Sequence, residues 1–580
     1  MSNKNRGKKA LVEIYSKVQM FRMKNDLLRK AALTEEILEQ IGSSPAGTGA
    51  ENAVFFSLCN GKERARVFTG IGTDPGSAWD AASNKVNAFL EKGAYLPKWV
   101  KVDVVYTTKT MDKSELTSAV AASRSEFFRY GIAFDNLYET ALLEAELNGN
   151  KIYKYDDTNI ALDFDYLNRY LRRSGRAQLE ALPEAYTLFQ CLGWICDEDN
   201  TVYKLNYKGL EYGRRNVELI DADYAKTLLT SAGNFLANQV NEDGSFIYGL
   251  YPRFDKEIDN YNILRHSSTI WALVNQYRVI GDETLVKHIN STIEYMLRYI
   301  VYSDADTAYL YEEKSDEIKL GGNAIVIITL TEYMDVFGKN ERYTEVCRQL
   351  GTGILSMLDQ GTGVYVHVLN GDFSLKEKYR TVYYDGEATF ALSRLYELTG
   401  NQTWLDAAMT AVHHFIAADY VQYRDHWVAY SMNEVTKYID DPKYYTFALR
   451  NAQENLKSIY RRDTTYHTYL ELLMSTFELY DRMITKGITC DYLEASFHIE
   501  DLLKTIYARA DRMLNGYFYP EYAMYMKNPQ RVVDTFIVRH DGYRVRIDDV
   551  QHNIGGFYKY YVYYDKLVAY GLLEARDSAQ

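Results

Sequence analysis

The sequence predicts a mainly α-helical protein, in which a closed ring of six helical hairpins with strand-like inserts at one end follows a small α/β domain. Three observations support this fold class. Apolar residues recur at helical spacing through most of the last two-thirds of the 580-residue chain. The chain has only 8 prolines, which favours long uninterrupted helices. Segments with strand and turn composition separate successive helix pairs.

The clearest hairpin lies at residues 383–416. Its two helices are marked by apolar stripes at helical spacing, which are Ala388, Ala391, Leu392 and Leu395, then Trp404, Leu405, Ala408, Val412 and Phe415. Between the stripes, Gly400 and Asn401 supply a glycine after the first helix and a polar start for the second. This stretch therefore predicts two amphipathic helices joined by a tight turn.

Similar turns recur along the chain, each after a tyrosine, at residues 277–282, 333–340, 396–401 and 438–442. They are about 40 to 60 residues apart, which is too far for a plain two-helix repeat with short loops. The extra residues lie between hairpins, at 243–260, 307–319 and 361–379. Inserts at one end of antiparallel helix pairs predict a closed ring of inner and outer helices. The alternative, an open α-solenoid, is expected to show a shorter and more regular repeat.

The first 215 residues show mixed strand and helix patterns rather than successive helix pairs. The sequence therefore predicts three domains. Residues 1–110 are predicted to form a small α/β domain with a basic N-terminal helix, and residues 111–215 an α/β connecting module. Residues 216–580 are predicted to form the ring. The strands expected in the first domain are 53–59, 64–72 and 100–106.

The charge distribution limits the partners that the sequence predicts. A formal net charge of −13 disfavours nucleic acid or an anionic membrane as the main partner. The first 30 residues differ, with nine Lys or Arg and an apolar stripe of Leu11, Ile14, Tyr15, Val18 and Phe21. This basic amphipathic helix is expected either to dock on its own domain or to make a weak contact with a membrane surface or polyanion.

No apolar run of about 18 residues and no N-terminal signal sequence are visible, so no integral membrane segment is predicted. The five cysteines are odd in number and mostly scattered, without paired Cys or His at zinc spacing. Buried thiols in a reducing cytoplasm are the simplest interpretation. Asp548, Asp549 and His552 could clasp a metal ion, but no further ligand cluster accompanies them. The sequence therefore predicts neither a metal nor an organic cofactor.

The predicted starts of the inner helices carry polar and titratable side chains that differ between hairpins. Aligning the hairpins on their apolar stripes places Asp385 at the position of His266 and Gly321. Since these helix ends face one funnel in a closed ring, we predict a shared site. The candidate catalytic residues are Asp385, Glu387, His266, His426, Asp548 and Asp549. The candidate substrate-binding residues are Arg265, Tyr383, Tyr384, Asp425, Trp427, His467, Arg546 and His552.

A structural role is the competing interpretation for several candidates. Asp385 could cap its helix, and Glu387 could complement the helix dipole in the first turn. His266 could be a hydrogen-bonded core histidine. Both interpretations stay open at the level of sequence.

The residue types suit proton transfer on a carbohydrate. Hydrolysis of a glycosidic bond needs one carboxyl group as acid and a second as base or nucleophile, about 5 to 10 Å apart. Epimerisation or elimination needs His or Tyr bases on opposite faces of the sugar ring. Arg265, Arg544 and Arg546 would suit a carboxylate-bearing sugar, because a guanidinium offers a carboxylate two parallel hydrogen bonds.

Residues 221–575 resemble the α/α-toroid superfamily of six-hairpin glycosidases and N-acylglucosamine 2-epimerase-like isomerases. The stretch DGEATFALSRLYELTGNQTWLDAA and inserts of the NEDGSFIY type carry the resemblance. It implies an (α/α)6 barrel with the substrate in its funnel, paired carboxylates or histidines there, and no organic cofactor.

We therefore predict a cytoplasmic carbohydrate-active enzyme, in the first place a glycoside hydrolase that uses paired carboxylates on an oligosaccharide or uronic-acid-containing glycan. A sugar epimerase or lyase that uses His or Tyr bases in the same funnel is one alternative. A non-catalytic glycan-binding scaffold in polysaccharide assembly is the other.

Overall fold

A computed structural model describes residues 3–43, 52–93, 95–135, 137–155 and 160–577. The chain divides into two compact units. The sheet unit combines Met1–Glu218, Leu250–Lys256 and Tyr517–Val545. The ring unit combines Leu219–Gly249, Glu257–Gly516 and Arg546–Gln580.

The sheet unit begins with alternating helices and strands. In chain order these are α1 (Asn3–Ala32), α2 (Glu35–Gly42), β1 (Asn52–Cys59), β2 (Arg66–Gly72), α3 (Pro75–Lys92), β3 (Trp99–Asp112), α4 (Lys113–Ala122), β4 (Gly131–Ala133), β5 (Ala141–Leu142), α5 (Glu144–Gly149), β6 (Tyr153–Tyr155), β7 (Ile160–Leu162), α6 (Phe164–Arg173), β8 (Ala185–Cys196) and β9 (Val202–Lys204). The three strands predicted at 53–59, 64–72 and 100–106 correspond to β1, β2 and β3 and are confirmed.

The main sheet of this unit is antiparallel and has the strand order β2-β1-β3-β8-β4-β5, with β9 beside β8. Strand β1 is buried on both faces. Val54, Phe56 and Leu58 pack into the core that contains α1 and α3 residues, whereas Phe55 and Cys59 face a second core. The side-chain alternation of a strand thus supplies apolar groups to two cores at once.

The N-terminal basic helix docks on its own unit. Val18, Phe21 and Leu28 of α1 are buried in the core beside β1, and the ring of Phe21 lies 5.9 Å from that of Phe56. The side chains of Leu11, Ile14 and Tyr15 lie outside the described residues. A membrane or polyanion contact of this helix stays a prediction.

The domain boundaries differ from the predicted ones. Strand β3 runs across the boundary expected at residue 110 and pairs along its length with β8, so the sections 1–110 and 111–215 share one sheet. Later segments of the chain also return to the sheet unit. The hydroxyl of Tyr525 lies 2.9 Å from that of Ser57, and Arg215 forms a 2.8 Å ion pair with Glu521. Contacts of this kind, between residues far apart in sequence, hold the segments of the sheet unit together.

The rest of the chain is mostly helical. Its helices are α7 (Ala222–Ala237), α8 (Ile263–Ile280), α9 (Thr284–Leu297), α10 (Leu320–Phe337), α11 (Glu341–Ser356), α12 (Tyr383–Thr399), α13 (Gln402–Ala417), α14 (His426–Val435), α15 (Pro442–Gln453), α16 (Leu456–Tyr460), α17 (Thr468–Lys486), α18 (Asp491–Ala495), α19 (Ile499–Met513), α20 (Pro520–Ala523), α21 (Ile547–Val562), α22 (Tyr564–Ala569) and α23 (Leu572–Asp577). Its strands are β10 (Gly249–Tyr251), β11 (Lys256–Glu257), β12 (Ile300–Tyr302), β13 (Ala308–Glu312), β14 (Glu317–Lys319), β15 (Val368–Leu369), β16 (Leu375–Glu377) and β17 (Val545–Arg546).

Six inner helices of the described residues form a closed ring. Each packs on the next in the order α8, α10, α12, α14, α17 and α21, and α21 packs back on α8. The outer helices α7, α9, α11, α13, α15 and α19 alternate with them along the chain. The predicted ring of hairpins is confirmed, and the contact between α21 and α8 excludes an open solenoid.

The predicted turn between α12 and α13 is also confirmed. Gly400 ends α12 with a φ of +67°, a left-handed conformation that glycine adopts without steric cost, and the side chain of Asn401 accepts a hydrogen bond from the backbone of α13. Two of the predicted inserts form one sheet, with the order β12-β13-β14-β15-β16.

One described helix, α10, is long and apolar enough to cross a membrane by length and composition alone. It is an inner helix of the ring, and 72% of its apolar window is buried inside the protein. A core helix of this kind passes the same compositional test. All five cysteines are free and buried, as the sequence predicts.

Close approach of α12 and α14 makes Gly386 a sensitive position. A Cβ atom there would lie 2.6 Å from the Cβ of Trp427 and 2.7 Å from the backbone nitrogen of Val428. Because backbone atoms cannot move aside, we expect Gly386→Ala to destabilise the ring by roughly 2 to 3 kcal/mol. The control is Gly93→Ala, which has open space around the added methyl group. Thermal unfolding should show a lower midpoint for Gly386→Ala alone, and equal midpoints would contradict the packing argument.

Candidate functional site

The N-terminal ends of the inner helices converge on a largely buried polar region, the pit, that contains three histidines and a glutamate. This histidine cluster consists of His426 on α14, His467 just before α17, Glu471 on α17 and His552 on α21. The imidazole of His552 lies 5.2 Å from that of His426 and 4.9 Å from that of His467, with which it stacks. Nδ1 of His552 lies 2.8 Å from a carboxyl oxygen of Glu471. Three separate hairpins therefore contribute to one cluster.

Burial sets the charges of this cluster. It lowers the pKa of His426 and of His467 to about 3 and that of His552 to about 4. It raises the pKa of Glu471 to about 8. At neutral pH the cluster thus consists of neutral imidazoles beside a protonated carboxyl group.

His426 is the most buried of the three histidines in the cluster. Neither of its ring nitrogens has a hydrogen-bond partner among the described residues, although the ring is only 2% exposed. Nδ1 lies 3.4 Å from Asp425 and Nε2 lies 3.9 Å from Glu471. A buried imidazole without partners is available to a ligand, since unsatisfied polar groups are costly in a protein interior.

A group of two arginines and two aspartates borders the cluster. Arg265 donates a 2.7 Å hydrogen bond to Asp548, and Arg546 binds Asp549 with two hydrogen bonds of 2.7 and 3.0 Å. Burial opposes ionisation of Asp548, but the positive charges beside it, that of Arg265 above all, lower its pKa to about 2. Asp548 also approaches His552 to 3.8 Å, so the two groups form one site.

Glu387 lies on the same side of the pit, and its Oε2 has no hydrogen-bond partner among the described residues. Burial raises its pKa to about 8, and the charges of Asp425 and Asp548 add to this effect while Arg265 opposes it. Gly321 on α10 makes room for it, because a Cβ atom there would lie 1.9 Å from this oxygen. The sequence alignment placed Gly321 at the position of Asp385, two residues before Glu387, and the close approach of Glu387 explains why this position is a glycine.

The aromatic candidates line the wall of the pit. The hydroxyl of Tyr383 lies 2.8 Å from that of Tyr466, and the Tyr383 ring lies 5.7 Å from His426. Trp427 stacks on Trp271 at 5.7 Å. The ring of Tyr384 lies 5.6 Å from that of His367.

Asp425 caps the helix α14 that carries Trp427, since its Oδ1 accepts a hydrogen bond from the Trp427 backbone. Burial raises the pKa of Asp425 well above its usual range. Its Oδ2 is another buried oxygen without a partner among the described residues.

Asp385 is held by partners on both oxygens. Because the backbone N–H of Arg380 donates to Nδ1 of His367, Nε2 of that histidine carries the proton and donates to Asp385 at 2.8 Å. The hydroxyl of Tyr420 donates to the second oxygen at 2.7 Å. The prediction that Asp385 caps its helix is wrong, because Val382 is the N-cap residue and no side chain caps α12; the carboxylate instead links the helix to His367 and Tyr420.

The side chain of His266 does not point into the pit, contrary to the prediction. Nε2 donates to the carbonyl oxygen of Thr292 on the outer helix α9, and Nδ1 accepts from the hydroxyl of Tyr261. The ring packs between Phe246 and Tyr295 at 5.0 and 5.2 Å. His266 is therefore a hydrogen-bonded core histidine, because its side chain turns toward the outer layer. Arg544 lies in the sheet unit, where it pairs with Asp541.

Sequence reasoning missed Glu471 and His367. Glu471 follows His467 by four residues, so the helical period was a signal that both face the same way. His367 lies in an insert and meets Asp385 only through the fold. Ligand atoms of His426, Glu471 and His552 lie within 4.8 Å of one another, a grouping that could hold a metal ion. An ion would have to replace the hydrogen bond between His552 and Glu471.

No protein-family model and no curated protein matches this chain. Among solved structures, it is similar to cellobiose 2-epimerase from Bacillus thermoamylovorans, with 14% identity and a TM-score of 0.46 over 59% of this chain and 98% of the other. It is similar to a D-mannose isomerase, with 11% identity and a TM-score of 0.44 over 58% and 97% of the two chains. An α-1,6-mannanase from Salegentibacter sp. gives 10% identity and a TM-score of 0.29 over 58% and 98%. At such low values the ring described here rests on its own helix contacts.

The raised pKa of Glu387 predicts a pH-dependent stability. A carboxyl group that titrates near pH 8 when folded, against about 4.5 when unfolded, stabilises the fold fully below pH 4.5, and this contribution is lost as the pH rises through 8. Glutamine cannot ionise, so the Glu387→Gln variant should not lose this stability at high pH. We expect its melting temperature to exceed that of the parent at pH 8.5 but not at pH 5.

The histidines contribute equally to parent and variant at any one pH and cancel in this comparison. The control is Glu242→Gln, a change at an exposed glutamate of the ring unit. Parallel melting curves for the parent and Glu387→Gln over the whole pH range would contradict the raised pKa.

Proposed function

We propose that this protein is a carbohydrate-active enzyme that moves a proton next to the carbonyl group of a sugar, as in an epimerisation or aldose–ketose isomerisation. The observation that carries the proposal is the pair of buried neutral imidazoles, His426 and His552, with ring centres 5.2 Å apart. A neutral imidazole is a base, and two of them within reach of one substrate can take up and return a proton.

The neighbours of His552 suit this role. When His552 takes a proton from the sugar carbon, an imidazolium forms in a buried site and needs a compensating negative charge. Ionised Asp548 lies 3.8 Å from its Nε2, and Glu471 contacts its Nδ1 at 2.8 Å. In this step Nδ1–H of His552 donates to Glu471, which keeps its own proton, so that the lone pair of Nε2 takes the proton from the sugar carbon. The proton then returns to the substrate, and all groups regain their starting state.

The arginines favour an oxygen-rich or acidic substrate. Arg265 is 37% exposed at its side chain, so it retains N–H groups for a ligand while it binds Asp548. Guanidinium groups suit the enediolate oxygens that such a reaction develops and the carboxylate of a sugar acid. The half-buried ring of Tyr383 offers a flat face for a sugar ring, whereas Trp427 is buried against Trp271. A reducing oligosaccharide or uronic acid is the proposed substrate class.

Exchange with solvent tests this proposal directly. We expect a panel of reducing sugars and uronic acids in heavy water to gain deuterium at the carbon beside the carbonyl, observed by NMR. His426→Asn and His552→Asn should each slow this exchange by about 100-fold or more. His498→Gln, at an exposed histidine of the same unit, serves as the control and should leave the rate unchanged. Exchange that survives both changes would contradict the histidine mechanism.

Glycoside hydrolysis is the second candidate, and one observation favours it. Arg265 contacts Asp548, whose pKa is about 2, and also acts on Glu387, whose pKa is about 8. Two carboxyl groups with pKa values driven apart resemble the acid and base that this reaction requires. A protonated Glu387 would donate to the leaving oxygen, and ionised Asp548 would act as base or nucleophile.

Release of new reducing ends from oligosaccharides distinguishes this second reaction. If the chain is a hydrolase, Glu387→Gln should reduce hydrolysis by about 100-fold or more, and the parent rate should fall above pH 8 as Glu387 loses its proton. Product formation with an unchanged rate in Glu387→Gln would exclude this assignment. Glycan binding without either reaction would favour the scaffold interpretation.

A further inference from the structure

The sheet unit contains a cavity of about 310 Å³ whose wall is strongly basic. It lies between the start of the edge strand β2 and one face of helix α6. Five cationic side chains and one carboxylate line it, and these are Arg64, Arg66, Arg169, Arg173, Lys527 and Glu63. Such a concentration of positive charge is unexpected in a chain with a net charge of −13.

The cavity-lining residues of helix α6 all lie on one face of the helix. Tyr166, Arg169, Tyr170 and Arg173 follow one another at spacings of three, one and three residues, which places all four on one face of the helix. The guanidinium of Arg169 lies 5.3 Å from the centre of the Tyr166 ring. Both arginines are exposed and form no ion pair among the described side chains. The face therefore combines aromatic surface with two free guanidinium groups.

The strand side of the cavity adds a fixed charge. Nε of Arg64 donates to the carbonyl oxygen of Tyr525 at 3.2 Å, and its Nη2 donates to that of Arg253. Neutral carbonyl groups orient Arg64 but do not cancel its charge. Glu63, the single carboxylate of the wall, is 3.5 Å from Arg66. Four of the five cations thus lack a carboxylate partner among the described side chains.

The charges of the wall repel one another. Burial, with the charges of Arg173 and Arg253 as smaller causes, lowers the pKa of Arg64 below its usual range. A group of cations held together around a cavity is stabilised by an anion, and guanidinium groups bind phosphate with two parallel hydrogen bonds. The cavity volume is that of a small-molecule site, and its concave shape does not suit a polymer.

We propose that this cavity binds a small molecule with two or more negative charges carried by phosphate groups. The proposal concerns the sheet unit alone and is independent of the reaction in the ring. Arg169 and Arg173 would bind the phosphates from α6, Arg64 from the turn before β2, and Lys527 from the segment after α20. Tyr166 would offer an aromatic face to the remainder of the ligand.

Calorimetric titration of the full-length protein with inorganic pyrophosphate and, separately, with ADP tests the site. We expect saturable binding with one ligand per chain, weakened but not abolished when the salt concentration rises from about 50 to about 300 mM. Arg173→Ala and Arg169→Ala should each weaken binding by about tenfold or more. Both residues are exposed, so the variants should keep the melting temperature of the parent.

Arg172→Ala is the matched control. Arg172 is an exposed arginine one position from Arg173 on the same helix, but it does not line the cavity. It should change the affinity by less than about twofold. An equal loss in Arg172→Ala and Arg173→Ala would show attraction by the general charge of the helix and would overturn the proposal. Absence of saturable binding at millimolar pyrophosphate and ADP would do the same.

Discussion

Packing of the last inner helix, α21, against the first, α8, is the contact on which the site depends. It closes the ring, so that side chains from helices far apart in sequence are held around one pit. Closure also removes these side chains from water, and a charged group without a partner then becomes costly. Asp548 meets this cost by pairing with Arg265, whereas Glu387 and Glu471 meet it by keeping their protons. The chemistry of the pit follows from burial.

These protonation states determine which groups of the pit can accept a proton and which can donate one. The histidines are kept neutral and can accept protons, and two carboxyl groups are kept protonated and can donate them. Arg265 acts on both Asp548 and Glu387, and it therefore couples the two halves of the site. Among the residues that the structure describes, the ring nitrogens of His426 and Oε2 of Glu387 have no hydrogen-bond partner, and a ligand would supply one. A structural core of the same size would bury apolar groups in their place.

The sheet unit is organised by a different constraint, the long antiparallel pairing of β3 with β8. Hydrogen bonds between these strands join residues 1–110 and 111–215, which the sequence analysis assigned to two separate domains. Its basic cavity forms where an edge strand meets the arginine-bearing face of α6, and carbonyl groups orient Arg64 there without cancelling its charge. The acidic groups of the ring site are therefore paired or protonated. In the sheet-unit cavity, by contrast, most cations have no carboxylate partner among the described side chains.

The sequence by itself determined the helical ring, because apolar periodicity and turn chemistry at positions such as Gly400 and Asn401 act over a few residues. It also indicated which helix starts would carry titratable groups, among them Glu387, His426 and Asp548. Only the tertiary structure decided which of these side chains meet. His266 turned outward to Thr292, while Glu471 and His367 gained partners from other segments. Helical spacing fixes the face on which a side chain stands, but its partner, its burial and hence its charge come from elements distant in sequence.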